Sequence, residues 1–387
     1  MIIEPKVRDF ICTTAHPDGC RENVKRQIEY IKTNGKINAQ KKVLIIGAST
    51  GYGLSSRIAA TYALDAATIG IMFERPGTNR RTATPGFYNT AAFEEIASAD
   101  GYYAKSINGD AFSEDIKAQT IELIKKDLGK VDMVIYSLAS PKRTTSDGTT
   151  YTSTLKTTSS DFTNKSLNLR TNEISEATIT PATEEEITDT IKVMGGEDWK
   201  DWITALSDAD VLEENAITIA YSYIGPKLTY PVYYKGTIGM AKNHLYDTSL
   251  EISKSFASKS VKAYISVNKA LVTQASSAIP IVPLYMAILY KVMKDKNIHE
   301  GCIEQMDRLF HEKLKGDDTT VDSEGRIRLD DYEMREDVQS KVMEYWDQVN
   351  TDNVSDLADL TGYWADFYHM FGFHFDNVDY TKDITLV

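Results

Sequence analysis

The first third of the chain alternates short apolar runs with longer stretches of helical period. Residues 43–46, V-L-I-I, are too few for a helix and fit a strand buried on both faces. Gly47, Gly51 and Gly53 follow at once, and residues 54–64 read as a helix. The rhythm continues with strands over 67–73, 102–107 and 131–136, a helix over 90–99, and another from a Ser113 cap to Gly129. This β-α repetition predicts an α/β fold, a Rossmann-type doubly wound parallel sheet.

Residues 142–180 break the rhythm. They are dense in Thr and Ser and poor in large apolar residues, which predicts hairpins and loops on the rim. Thr183 with Glu186 fits a capping box opening a helix through 191, and G-G-E-D-W at 195–199 begins another. A fifth strand is expected over 215–223, a helix over 237–256 and a sixth strand over 261–267. Residues 279–293 are apolar nearly all round, as suits either a core helix or the wall of an acyl pocket. Residues 300–387 read as charged helices with an aromatic-rich tail. The expected organisation is one enlarged domain. It comprises an N-terminal arm (1–40), a nucleotide-binding and catalytic core (41–141 and 187–295), the rim insertion (142–186) and a C-terminal helical extension (296–387).

Composition narrows the function classes. A net charge of −13 over 387 residues argues against nucleic acid or anionic lipid as the main partner, since both require a basic surface. Cys12, Cys20 and Cys302 form no C-x-x-C pair and the six histidines no H-x3-H pair, so neither a disulfide framework nor a metal is expected. The N-terminus lacks a signal-peptide core and no run of 18 apolar residues occurs, so the expectation is a cytoplasmic protein with no membrane span. A-H-P-D-G-C at 15–20 suggests either chemistry at His16 and Cys20 or a turn that pins the arm onto the domain.

Strand, glycine turn and helix together aim free backbone N–H groups at a pyrophosphate. Gly47 allows the tight turn, Gly51 lets the backbone approach the phosphates, and Gly53 lets the helix pack on the sheet. Glu74 ends the second strand, where a carboxylate can accept from the adenosine ribose hydroxyls and repel a 2′-phosphate. It would then favour NADH; the alternative is a solvated strand end. Asp110 sits where adenine would lie, and S-L-A-S-P at 137–141 forms a small-residue turn beside the nicotinamide ribose. Tyr233 and Lys242, with eight residues between them, supply a phenol donor and a cation if Tyr233 enters the long helix and Lys242 lies on its inner face. In a chain with 22 tyrosines such a pair also arises by chance; its place after the fifth strand favours the functional reading.

Several of these motifs together resemble the trans-2-enoyl-CoA reductase family, enlarged single-chain relatives of the short-chain dehydrogenases that include bacterial enoyl-acyl-carrier-protein reductases. They are A-H-P-D-G-C, G-A-S-T-G-Y-G-L-S-S-R, G-D-A-F, Y-S-L-A-S-P, V-M-G-G-E-D-W, A-Y-S-Y-I-G-P, Y-K-G-T-I-G-x-A-K and L-V-T-Q-A-S. A Y-x8-K pair looks like this family alone, against Y-x3-K in ordinary short-chain dehydrogenases and Y-x6-K in the smaller enoyl reductases. The resemblance implies Tyr233 as proton donor, Lys242 as the cofactor-contacting lysine and Tyr223 at the thioester carbonyl. It implies cofactor contacts at Gly47, Ala48, Ser49, Thr50, Gly51, Tyr52, Phe73, Glu74, Asp110, Ala111, Leu138, Ala139, Leu271, Val272 and Thr273. Asn243 stands where some members carry a second lysine.

The expected activity is therefore NADH-dependent reduction of the double bond of trans-2-enoyl thioesters, carried on CoA or acyl-carrier protein, in fatty acid synthesis, by a monomer without flavin or metal. The alternatives are a ketone or aldehyde reductase using the same Tyr–Lys pair, and a non-catalytic NADH sensor.

Overall fold

The chain begins with a two-strand ribbon, β1 (Val7–Arg8) against β2 (Ile11–Cys12), and helix α1 (Pro17–Asn34). The computed structural model describes residues 1–387 except 9, 10, 38, 40, 274, 275, 277–279, 316, 317, 386 and 387. Pro17 stands in the first turn of α1, where no N–H is needed, and His16 caps the helix by accepting from the Gly19 N–H at 3.3 Å. The His16 ring packs edge-on against Tyr380, and its backbone N–H donates to the Phe371 carbonyl at 2.9 Å. Cys20 is fully buried. The A-H-P-D-G-C segment is thus a packed turn that fastens the arm to the C-terminal tail.

Seven strands and the helices between them build the core. In chain order they are β3 (Lys42–Ile46), α2 (Gly51–Ala63), β4 (Ala67–Met72), α3 (Pro85–Ala99), β5 (Ala104–Asn108), α4 (Glu114–Asp127) and β6 (Val131–Tyr136). Two antiparallel hairpins follow, β7 (Lys142–Thr144) with β8 (Thr150–Thr152) and β9 (Phe162–Asn168) with β10 (Glu173–Ile179). The chain returns through α5 (Glu184–Met194), α6 (Glu197–Asp208), β11 (Leu212–Ser222), α7 (Thr237–Ser255), β12 (Lys262–Val267) and α8 (Val282–Asp295). It ends with α9 (Cys302–Arg308), β13 (Ile327–Arg328), α10 (Glu336–Gln348), α11 (Val354–Leu357) and α12 (Leu360–His369).

The central sheet is parallel in the order β13-β12-β11-β6-β3-β4-β5. The order in which the chain adds strands reverses between β3 and β6, which opens a crevice at their C-terminal ends. Successive β3 side chains serve opposite faces: Val43 and Ile45 enter one apolar cluster, Leu44 and Ile46 the other, all fully buried. Arg57 ties α2 to the sheet edge from inside. Its guanidinium reaches Ser106 Oγ at 2.6 Å and the Lys105 carbonyl at 2.7 Å, above the Phe93 ring.

The rim insertion is made of hairpins, as its Thr-rich alternation predicts, and the second hairpin packs on α8. Lys165 on β9 donates to the carbonyls of Trp346, Asp347 and Val349, capping the C-terminal end of α10. The apolar segment around 279–293 forms the core helix α8, with α10 and α12 against it. The region 296–387, read as purely helical, also supplies β13, the seventh strand. Two residues long, it carries no period of its own and is held by pairing with Ser266 and Val267. Among the described residues no helix is long and apolar enough to cross a membrane.

Candidate active site

The glycine turn between β3 and α2 forms one wall of the crevice. Gly47 adopts φ +86°, and a Cβ there would lie 2.2 Å from the Ser137 carbonyl oxygen, so only glycine lets the β3 and β6 ends approach. A Cβ on Gly53 would lie 1.8 Å from the Gly47 carbonyl oxygen, which sets how closely α2 can start against the strand end. Gly51, by contrast, has open space where a side chain would be, at φ +51°. No side chain caps α2, whose first-turn N–H groups have no intrahelical acceptors. This donor set fits a diphosphate. A cavity of about 430 Å³ runs from Thr50 and Gly51 to Leu271, Val272 and Thr273, bringing the glycine turn and the loop after β12 to one space. Gln274 and Ala275 of the L-V-T-Q-A-S motif lie outside the described residues.

The edge predicted to carry adenosine is organised by hydrogen bonds. Glu74 accepts from Ser49 Oγ at 2.6 Å, and the Asn108 side chain pairs with both backbone groups of Glu74 at 2.8 Å. A Cβ on Gly86 would collide with the Glu74 carboxyl, so the start of α3 is cut away for this residue. Phe73 is 77% exposed, as befits a ring left free to cover a ligand. Asp110 accepts from the Phe112 N–H at 3.0 Å and holds its turn. Ala111 is buried, and its carbonyl accepts from Trp202. Leu138 is half-buried and Ala139 exposed at the end of β6. Ala48 and Ser49 are buried beneath the turn.

Tyr52 differs from the other glycine-turn residues. Its hydroxyl sits 2.9 Å from both the Lys269 carbonyl oxygen and Gln305 Oε1, so the ring wedges under the loop after β12. Only its backbone remains for a phosphate.

The phenol and ammonium candidates gather at the C-terminal end of β11. Tyr233 does not enter the long helix. It lies in the turn before α7, where its N–H donates to the Thr229 carbonyl, and a glycine at 236 separates it from the helix start. Lys242 is on α7 and donates its ammonium to the Tyr221 carbonyl oxygen at 2.9 Å. Tyr223 and Tyr233 meet edge to face with centroids 4.8 Å apart. Tyr233, Leu271 and Val272 belong to one apolar cluster, with Tyr52 and Tyr223 packed against it. Tyr223, Tyr233 and Lys242 thus stand at the C-terminal end of β11, the same end of the parallel sheet as the glycine turn, while the cavity of about 430 Å³ is lined by glycine-turn and 271–273 residues and not by these three.

Burial sets the proton affinities. It holds the Tyr223 and Tyr233 phenols well above their ordinary range, so both carry their protons at neutral pH. The same burial lowers Lys242 to about 8 and Lys269 to about 8, the latter against the opposing pull of Glu333.

Several residues at the site escaped the sequence reading. Glu333, from the turn after β13, is fully buried and accepts from the hydroxyls of Tyr223 at 3.1 Å and Tyr285 at 2.7 Å and from the Ala270 N–H at 2.8 Å. Within an acidic, basic-rich run it looks like a solvated residue. Tyr285 left a signal, since a phenol inside an otherwise apolar helix needs a buried partner. Lys269 left one too, a cation between a buried strand and an apolar loop.

Comparison with known proteins agrees with this geometry. Residues 2–79 match the model of the NAD(P)H binding domain of trans-2-enoyl-CoA reductase, and residues 81–315 that of the trans-2-enoyl-CoA reductase catalytic region. A trans-2-enoyl-CoA reductase [NADH] of Ruminiclostridium cellulolyticum is 56% identical over 387 residues, covering 100% of this chain and 98% of that one. An enoyl-[acyl-carrier-protein] reductase [NADH] of Flavobacterium johnsoniae is 58% identical over 385 residues, 99% of this chain and 97% of that one. The fold superposes on the Clostridium acetobutulicum trans-2-enoyl-CoA reductase solved in complex with NADH. The TM-score is 0.97 at 44% identity, with 100% and 98% of the two chains covered. The Treponema denticola trans-2-enoyl-CoA reductase in complex with NAD gives 0.96 at 48% identity over the same shares.

Residues 321–384 match a model described as an enoyl reductase FAD binding domain; Asp366, His369 and Met370 of this region line the cavity, and its large apolar side chains pack into the core. Val338, Val342, Trp346, Tyr363 and Phe367 pack into the cluster around α8. A Cβ on Gly362 would meet the Asp359 carboxyl and one on Gly372 the backbone of His16 and Cys20, so neither glycine opens onto a ligand space. Glycine turn, strand-end loop, Tyr–Lys pair and end-to-end similarity converge, and the chain belongs to the trans-2-enoyl-CoA reductase family.

Proposed function

We propose that this protein reduces the carbon–carbon double bond of trans-2-enoyl thioesters to the saturated acyl thioester with NADH. The observation that carries the reading is the pair of neutral phenols, Tyr223 and Tyr233, packed edge to face at the C-terminal end of β11, the same end of the parallel sheet as the glycine turn.

The amide groups of the glycine turn and the α2 N-terminus hold the diphosphate, Glu74 and Phe73 the adenosine ribose, and Asp110 and Ala111 the adenine. Leu138, Ala139 and residues 271–273 flank the nicotinamide side. NADH, when bound, supplies the hydride that reaches the β-carbon of the enoyl group. As it arrives, negative charge gathers on the thioester oxygen, and Tyr223 and Tyr233 stabilise it as donors aimed where that charge develops. Tyr233, kept protonated by burial, is the proton donor that completes the α-carbon. Lys242 holds the ribose, and its charge makes the Tyr233 proton easier to release when it is needed.

Carriage on CoA or on acyl-carrier protein suits the same site, because the reacting atoms are identical. We place the reaction in the cytoplasm and assign it to a monomer, since Glu333 and Tyr285 reach the site from this chain's own C-terminal half. The test is NADH oxidation with crotonyl-CoA against acetoacetyl-CoA. The reading requires turnover of the first and little of the second; the reverse order would make the protein a ketone reductase, and turnover of neither a binding protein.

A further inference from the structure

Glu333 is a fully buried carboxylate that links the end of β11 to the loop after β12. Its Oε1 accepts from Tyr223 and Tyr285, and its Oε2 accepts from the Ala270 N–H, the residue immediately before the 271–273 loop. Gln339 closes the network from α10, donating to Tyr285 Oη at 3.2 Å and to the Glu333 carbonyl at 2.7 Å. The backbone that delivers Glu333 is anchored in turn. Just after β13, the N–H groups of Leu329 and Asp330 both donate to the Val267 carbonyl at the end of β12, at 2.9 and 3.1 Å. Behind the loop, the Lys269 ammonium donates to the Ala270 carbonyl at 2.9 Å and rests over the Tyr290 ring.

We propose that Glu333 is a positioning residue for the reduction, fixing the Tyr223 hydroxyl and the start of the nicotinamide-side loop in one register. This rests on the reading of Tyr223 as a group facing the thioester oxygen: its one O–H hydrogen lies on Glu333 in the free protein and turns to the thioester oxygen when substrate is bound. A phenol held only by its ring against Tyr233 can slide along that edge. A carboxylate oxygen at 3.1 Å sets where its hydroxyl sits, and the second oxygen of the same group sets the loop amide. Catalysis by oriented donors falls steeply when a donor is displaced by even about 1 Å, so one shared anchor affects rate more than it affects cofactor affinity. The C-terminal region, which also supplies β13 to the central sheet, thereby acts on the reacting centre through Tyr223. Glu333 itself touches no substrate atom in this scheme.

A carboxylate there could also merely satisfy buried donors, and the two roles separate in a double-mutant cycle. The full-length protein is assayed with crotonyl-CoA and NADH as wild type, Glu333→Gln, Tyr223→Phe and the double variant, with a Glu333→Leu protein alongside. The isosteric Gln can accept from the phenols or from the loop amide but not serve all three donors. It should lower kcat by about fivefold or more while the KM for NADH moves by less than about threefold. In the Tyr223→Phe background the same Glu333→Gln change should slow turnover by clearly less than it does in the wild type, because the route through Tyr223 is gone and only the loop-amide contact remains. Glu333→Leu should lose more activity than Glu333→Gln, and Gln should restore part of it. Wild-type kcat for Glu333→Gln, or an equal slowing in both backgrounds, would overturn the positioning role while leaving the reductase reading standing. If Tyr223→Phe alone keeps wild-type turnover, the placement of Tyr223 at the thioester is wrong, and the proposal falls with it.

Discussion

The Tyr223 and Tyr233 rings meet at 86° with centroids 4.8 Å apart, one at the end of β11 and the other ten residues later in the turn before α7. Edge-to-face packing sets the angle between the rings, and the Tyr223 hydroxyl donates to Glu333 Oε1 at 3.1 Å. Because burial raises both phenols, each is a donor at neutral pH. Tyr233→Phe removes one hydroxyl and keeps the ring contact. Turnover should fall about 100-fold or more, with the circular dichroism spectrum and the NADH dissociation constant nearly unchanged. Fluorescence titration and steady-state rates on the same preparation check both halves.

Lys242 titrates near 8 in the free protein because burial disfavours its charge. The ammonium is present below that pH and is lost above it, so kcat/KM for NADH should hold level at neutral pH and fall about tenfold per unit well above 8. Lys242→Arg keeps its charge at every accessible pH and should flatten this limb, at a lower rate. A profile unchanged by Arg would assign the inflection to another group.

Glu74 stands 2.6 Å from Ser49 Oγ, at the rim of the glycine turn. A 2′-phosphate placed there would meet its negative charge. Glu74→Ala should raise kcat/KM for NADPH by about tenfold, with a smaller loss for NADH, narrowing the preference. Unchanged selectivity would show that the ribose lies elsewhere.

Lys269 is 2% exposed and lowered to about 8 by burial, against 10.5 for an ordinary lysine. Between those pH values the unfolded chain binds more protons than the folded one, so this lysine's contribution to stability improves as pH rises. Relative to Lys269→Met, the wild-type protein should gain up to about 2 kcal/mol between pH 8 and pH 10. Urea unfolding of both proteins at the two pH values gives the difference directly.

Much of the site was legible because local chemistry and fold agreed. A double-faced apolar strand, glycines at 47, 51 and 53, and the Thr183–Glu186 box each specify their own backbone, and the structure has all three. Boundaries shifted where a neighbour overrode local pattern. Helix α3 starts at Pro85, not residue 90, since proline suits a first turn, and β11 begins at Leu212 through an irregularity around Asn215 at φ +61°. What sequence could not show depends on long-range pairing. β13 is a strand only because β12 offers it an edge. Glu333 is buried only because Tyr223, Tyr285 and the Ala270 amide, up to 110 residues away, converge on it. Tyr233, expected to enter the long helix, lies before it, because Gly236 starts the helix after it.

The most direct measurement is the fate of the hydride. Crotonyl-CoA is incubated with the protein and NADH deuterated at the transferable position of the nicotinamide, and the acyl product is analysed by mass spectrometry and NMR. Butyryl-CoA carrying one deuterium at the β-carbon is the expected product, and the Tyr233→Phe protein should form almost none. A 3-hydroxy product, deuterium at the α-carbon, or equal product from Tyr233→Phe would contradict the assigned chemistry.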